Sequence, residues 1–261
     1  MTIASKVLFE LNPPKLLTND HFNLLELDSQ IDKFVKRAQK LAEYVDGLHI
    51  TDSVLGIPRV SSVNAAAILR KSGIKTELSC SLRISDRNLI TIFQFLSEAI
   101  RNNIQRVLIL KGDDPCYGPR MSSLTASEVL RILTLYRFNE HMKLDLSFPS
   151  RIVNPSSFEK KLRVKPHAFV TQSISSLADL RSIVDLARPY GIKIIACILC
   201  PSEKNRISAQ NIGLDWSAYE KHPVHFISEA ALLSEKVLLC SPNSFNDGFD
   251  LVKELAKKNN L

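Results

Sequence analysis

Residues 6–15 read KVLFELNPPK. Val7, Leu8, Phe9 and Leu11 form a short apolar run with β character. Pro13 and Pro14 stop it, because proline has no N–H to give a ladder. Glu10 lies inside the run. A carboxylate at the end of an otherwise buried strand is costly unless it is paired, protonated or facing a cavity. Two readings of Glu10 therefore stand: a salt-bridged structural residue, or an acid with a raised pKa.

Similar apolar runs recur along the chain at Val45–Thr51, Lys75–Leu82, Arg106–Leu110, Lys143–Phe148, Ala168–Gln172, Ile192–Leu199 and Lys236–Cys240. Helical periods separate them. Ile31–Tyr44 places Ile31, Phe34, Val35, Ala38, Leu41 and Ala42 on one stripe. Further periods cover Ser62–Lys71, Asp86–Asn102, Leu124–Phe138, Ser156–Val164, Leu177–Pro189, Ser202–Ile212 with Trp216–Glu220, and Phe245–Lys258. Asp86 is a candidate cap for the third, and Thr125 or Ser127 for the fourth. Eight alternations of strand and helix predict one α/β domain over residues 1–261, a single (β/α)8 TIM barrel. A doubly wound sheet is weakened by the lack of a GxGxxG or GxxxxGK[ST] stretch.

The totals agree with an ordinary globular chain: 261 residues, 45% hydrophobic and 23% charged. No apolar run approaches about 20 residues, so no membrane span is expected. The opening MTIASKVLFEL lacks a signal-peptide layout, and a cytoplasmic location is expected. The net charge of +7 is spread without a clustered patch, which argues for a generally basic surface over a nucleic-acid interface. Five cysteines do not suggest a disulfide framework. Cys197 and Cys200 form a CxxC in a strand-like stretch, where residues three apart point to opposite faces. No metal site is expected.

In a barrel the active site gathers at the carboxyl ends of the strands. The polar residues read there are Glu10; His49, Thr51 and Asp52; Glu77 and Ser79; Lys111, Asp113 and Asp114; Ser147; Thr171 and Gln172; Ser202; Ser241 and Asn243. In LKGDDP, residues 110–115, Gly112 permits close backbone approach or an unusual turn.

Several of these stretches, taken in order, resemble the methylenetetrahydrofolate reductase family. They are Phe9 to Pro14, Thr51, Ser81 to Leu89 with its Asp86-Arg87-Asn88, Leu110-Lys111-Gly112-Asp113, Lys161, and Thr171-Gln172. The resemblance implies a short, barrel-only reductase of 5,10-methylenetetrahydrofolate or a related pterin in one-carbon metabolism. FAD would be its flavin and NADH or NADPH its reductant. It implies Glu10 as general acid, Asp113 as a catalytic group touching the pterin, and Gln172 as a pterin ligand. Thr51, Glu77, Lys111, Asn154 and Lys161 would hold the cofactor. Glu77 stands where the family has histidine, Lys111 where it has arginine, and Asn154 where it has aspartate. Those departures leave open a flavin-independent or partner-dependent reductase subunit, or a pterin-binding module. Homo-oligomerisation or an electron-donating partner subunit would be compatible with either.

Overall fold

The computed structural model describes residues 6–259. Eight parallel strands close into a barrel. They are β1 (Val7–Leu11), β2 (Gly47–Ile50), β3 (Glu77–Arg83), β4 (Arg106–Leu110), β5 (Lys143–Phe148), β6 (Ala168–Thr171), β7 (Lys193–Leu199) and β8 (Lys236–Cys240). Their order round the barrel is β1-β8-β7-β6-β5-β4-β3-β2. Such strands are covered on both faces, which is why VLFEL, RVLIL and KVLLC are nearly continuous apolar runs. Among the described residues, no helix is long and apolar enough to cross a membrane.

Contacts group the chain into two compact units, one of residues up to 10, 43–47 and from 146 onward, the other of residues 11–42 and 48–145. In the first, β5, β6, β7, β8 and β1 form an unbroken parallel array, with Phe148 opposite Thr171, Val170 opposite Ile195, Cys240 opposite Leu199 and Phe9 opposite Leu239. Helices α6 (Leu177–Ala187), α8 (Pro223–Leu233) and α9 (Phe245–Asn259) belong to this unit. A β-carbon on Gly248 of α9 would come within 2.7 Å of the Phe9 ring and 2.6 Å of Ser241 Cβ. Phe9 and Ser241 therefore face the helix layer. Strand alternation turns Glu10 and Cys240 the other way, into the barrel.

The second unit contains β2, β3 and β4 with α1 (Leu24–Ala42), α2 (Ser62–Lys71), α3 (Leu89–Arg101) and α4 (Ala126–Leu135). Ser79 pairs in register with Arg106 and Arg83 with Leu110. Polar groups occupy its interior. His49 is buried with Nδ1 2.8 Å from Ser79 Oγ and Nε2 2.9 Å from Ser81 Oγ. Arg106 and Asp145, each 1% exposed, pair at 3.0 Å, and Glu77 stands 3.5 Å from the same guanidinium.

Several boundaries differ from the sequence reading. α1 starts at Leu24 rather than Ile31, after a two-stranded antiparallel hairpin of Leu17–Thr18 and His21–Phe22. Asn88, not Asp86, caps α3 by accepting from the Thr91 N–H at 3.0 Å. Thr125 caps α4 in a reciprocal box with Glu128. Within Ser202–Ile212 the chain forms the short helix α7 (Arg206–Asn211), whereas Trp216–Glu220 is a turn and a further helix, α8, follows it. Glu77 opens β3 instead of standing at a strand's carboxyl end, so its expected place among the mouth residues is corrected.

Candidate active site

In the first unit the carboxyl ends of β5, β6, β7, β8 and β1 lie on one side, because the strands are parallel. Glu10 is the fourth residue of five on β1 and is half-buried. Burial pushes its carboxyl upward from the ordinary range, and a hydrogen bond from the Cys240 thiol partly offsets that rise. Burial is the cause that the apolar run already implied; the Cys240 bond was invisible in the fragment alone. Among the described residues the acid has no ion-pair partner, and its shift comes first from desolvation.

Cys240 ends β8, and its Sγ lies 3.2 Å from Cys197 Sγ on β7. Cys197 in turn lies 3.6 Å from Ser173 Oγ, and its N–H donates to Thr171 Oγ1 at 3.0 Å. A chain of small polar groups thus runs from Ser173 after β6 through two thiols to the acid. The Cys197 bond, burial and the neighbouring Glu10 all push the Cys240 thiol well above its ordinary range. The surrounding frame is fixed by buried Asn205, whose Nδ2 donates to Cys200 O at 3.0 Å and Ser241 Oγ at 2.9 Å. The Tyr219 hydroxyl donates to Leu199 O at 3.1 Å.

Lys161, on the short helix α5 (Glu159–Arg163), donates to Ser147 O at 2.7 Å and lies over the Phe148 ring. Burial lowers its pKa. Gln172 follows β6 with an exposed side chain and a backbone N–H bonded to Phe148 O. Asn154 is exposed and accepts from the N–H and hydroxyl of Ser156, capping the 3-10 turn Pro155–Phe158.

The other expected site residues belong to the second unit. Asp113 is exposed, and its carboxylate accepts the Leu55 N–H at 2.8 Å. That bond steadies a left-handed residue, Leu55 at φ 59°. Gly112, at φ 82°, lies against the Arg83 stem, where a β-carbon would come within 2.5 Å of Cγ. The close approach expected of Gly112 is present. Lys111 is exposed and uses its carbonyl to accept from Ser85. Thr51 is buried and donates to Asn12 Oδ1 at 2.6 Å. Glu77 is held at the Arg106 guanidinium. Asp113, Thr51 and Glu77 thus engage neighbours within the unit through their side chains, and Lys111 through its backbone carbonyl.

Sequence reasoning passed over Cys240 and Ser173. One signal could have found Cys240. Closure of a barrel pairs the last strand with the first, so the residue ending KVLLC becomes a neighbour of Glu10. Cys197 was considered only with Cys200, but its thiol meets Cys240 instead.

No family model matches the chain, and no curated protein matches it. Several solved structures are similar in shape. "QR15, an aldolase" superposes with a TM-score of 0.59 at 10% identity, covering 98% of this chain and 96% of that one. Deoxyribose phosphate aldolase from Aeropyrum pernix gives 0.59 at 9% identity, with 97% and 92% covered. Orotidine 5'-monophosphate decarboxylase from Methanocaldococcus jannaschii gives 0.58 at 8%, with 98% and 99% covered. At such identities the likeness establishes the barrel fold alone.

These findings overturn the resemblance to the methylenetetrahydrofolate reductases. Neither sequence comparison returns that family, and the three similar structures named above are two aldolases and a decarboxylase. The reductase activity, the oxidoreductase class and the folate and flavoprotein roles are withdrawn. The reductase-subunit alternative goes with them. The FAD and nicotinamide assignments of Thr51, Glu77, Lys111, Asn154 and Lys161 lose the resemblance that implied them.

Proposed function

We propose that this chain is a carbon–carbon lyase for a small carbonyl compound, with Glu10 as its proton carrier. The observation that carries the reading is the half-buried carboxyl at the carboxyl end of β1, turned into the barrel and pushed by burial toward its protonated form. Aldol cleavage and decarboxylation share one need. When the carbon–carbon bond breaks, its electron pair stays on a carbon beside a carbonyl, and that carbon must receive a proton. A carboxylic acid kept neutral by desolvation donates one near pH 7. In the reverse direction the same group, ionised, removes a proton from the carbon next to the carbonyl. The likeness in fold to aldolases and a decarboxylase supports this class of chemistry, and the placement of strand ends supports the location.

The half-reaction can be read without knowing the full substrate. The protein is incubated in deuterium oxide with acetaldehyde, pyruvate, dihydroxyacetone phosphate and deoxyribose 5-phosphate, and proton NMR follows exchange of carbon-bound hydrogen. The reading expects exchange in at least one compound, falling by about 100-fold or more in Glu10→Gln with an unchanged circular-dichroism spectrum. Equal exchange in the variant, or none in any of the four, removes the proposal.

A further inference from the structure

The acid chemistry needs a proton on Glu10, but it does not need two thiols behind it. Cys197 lies opposite Leu238 and Cys240 opposite Leu199, so the two cysteines are two positions apart on neighbouring strands and share the inward face. Their sulfurs are 3.2 Å apart. The other buried thiols face different partners: Cys80 bonds to Ser62 O at 3.3 Å, and Cys200 bonds to Ser241. Cys197 and Cys240 are each 7% exposed, and half-buried Ser173 flanks Cys197 at the mouth of β6.

We propose that Cys197 and Cys240 are a modification site, a reversible disulfide formed by hydrogen peroxide that removes the hydrogen bond from Cys240 to Glu10. One thiolate sulfur attacks a peroxide oxygen and releases hydroxide, giving a sulfenic acid. The second thiol then attacks that sulfur and expels water. In total the two thiols lose two electrons and two protons, and the peroxide becomes two waters. A small dithiol reverses the bond by exchange. Because Cys240 is pushed up by its Cys197 bond, by burial and by Glu10, the thiolate is scarce near neutrality and the reaction quickens as pH rises. Tyr219 also interacts electrostatically with Cys197, Cys200 and Cys240.

The consequence reaches Glu10 directly. In the reduced protein the Cys240 S–H favours the carboxylate and holds Glu10 below where burial alone would put it. A disulfide has no S–H to give, so Glu10 in the oxidised protein titrates at higher pH. The effect on turnover rests on the lyase reading; the crosslink and the titration do not.

The test uses full-length protein carrying Cys116→Ser, which removes the exposed thiol. It is treated with hydrogen peroxide, digested without reductant and mapped by mass spectrometry. In parallel, carbon-13 glutamate labelling follows the side-chain carboxyl of Glu10, assigned with Glu10→Gln. The inference expects a Cys197–Cys240 peptide link, reversed by dithiothreitol and lost in Cys240→Ser. It expects the Glu10 titration to move upward on oxidation and in Cys240→Ala without oxidant. Separate alkylation of both thiols after peroxide, a link to another cysteine, or an unmoved Glu10 titration overturns it. If the link forms and Glu10 moves while hydrogen exchange into carbonyl compounds is unchanged, the thiol inference stands and the lyase reading falls.

Discussion

The interior histidine gives the most direct quantitative test of the fold. His49 is buried on β2, its two ring nitrogens held by Ser79 and Ser81. A neutral imidazole has one donor and one acceptor, so one serine accepts and the other donates. Burial, and then the charge of Arg106, lower its pKa from 6.5 to about 4. The sign follows from linkage. Below about pH 6.5 the unfolded chain takes up a proton at this position, while the folded chain refuses it until about pH 4. The stability conferred by the neutral ring is therefore complete above the unfolded pKa and lost as pH falls through the folded one. A drop from 6.5 to about 4, at about 1.4 kcal/mol per tenfold change, makes that loss about 3 kcal/mol. Glu10 acts with the opposite sign. Its raised pKa contributes stability that is present at low pH and lost as pH rises. Urea unfolding is therefore followed in Glu10→Gln and in Glu10→Gln/His49→Gln, between about pH 7.5 and about pH 4. Glutamine offers a donor and an acceptor but does not titrate in this range. The single variant should lose about 3 kcal/mol more than the double variant across that interval. Parallel profiles, or an NMR titration of His49 with a midpoint near 6.5, would refute the reasoning.

Three further outcomes follow from the packing. Asp145→Ala takes the 3.0 Å partner from the buried Arg106 guanidinium while Glu77 stays 3.5 Å away, and should cost about 1–3 kcal/mol in urea unfolding. Gly248→Ala drives a methyl group into Phe9 and Ser241, and should cost about 1–3 kcal/mol and lower the thermal midpoint. If the lyase works through an imine, Lys161 is the amine to examine, since burial lowers its pKa. Borohydride with pyruvate should then add covalent mass to the parent protein and none to Lys161→Met, whereas equal labelling of both would exclude that lysine.

The barrel was legible because strands covered on both faces cannot hide their composition. Arg106–Leu110, Lys143–Phe148 and Lys236–Cys240 have the same bounds in sequence and structure. The misreadings have equally physical causes. PVHFISEAALL is apolar nearly all round, so α8 offers no single stripe for a period to reveal. The start of α1 carries Leu24 and Leu25 exposed, which breaks its stripe before Ile31. In ELSCSLR the hydroxyls of Ser79 and Ser81 point at His49, so alternation there marks a polar interior and gives no hint of which end is the mouth.

The candidate site was legible at one residue and obscure in its chemistry for a related reason. An acid inside VLFEL is costly whatever surrounds it, so the sequence itself marks Glu10 as unusual. What that acid protonates depends on the groups facing it, and those come from Cys240 and, through it, Cys197, more than a hundred and eighty residues away. Short strand-end motifs such as LKGD or TQ carry less information than they seem to, because they also serve local needs. Asp113 accepts the Leu55 N–H through its carboxylate, a bond worth keeping without any substrate. A motif therefore points to shared chemistry only where its residues have no such local employment. Glu10, raised by burial and, among the described residues, with a thiol beside it and no ion pair, is the residue on which a functional test should be spent first.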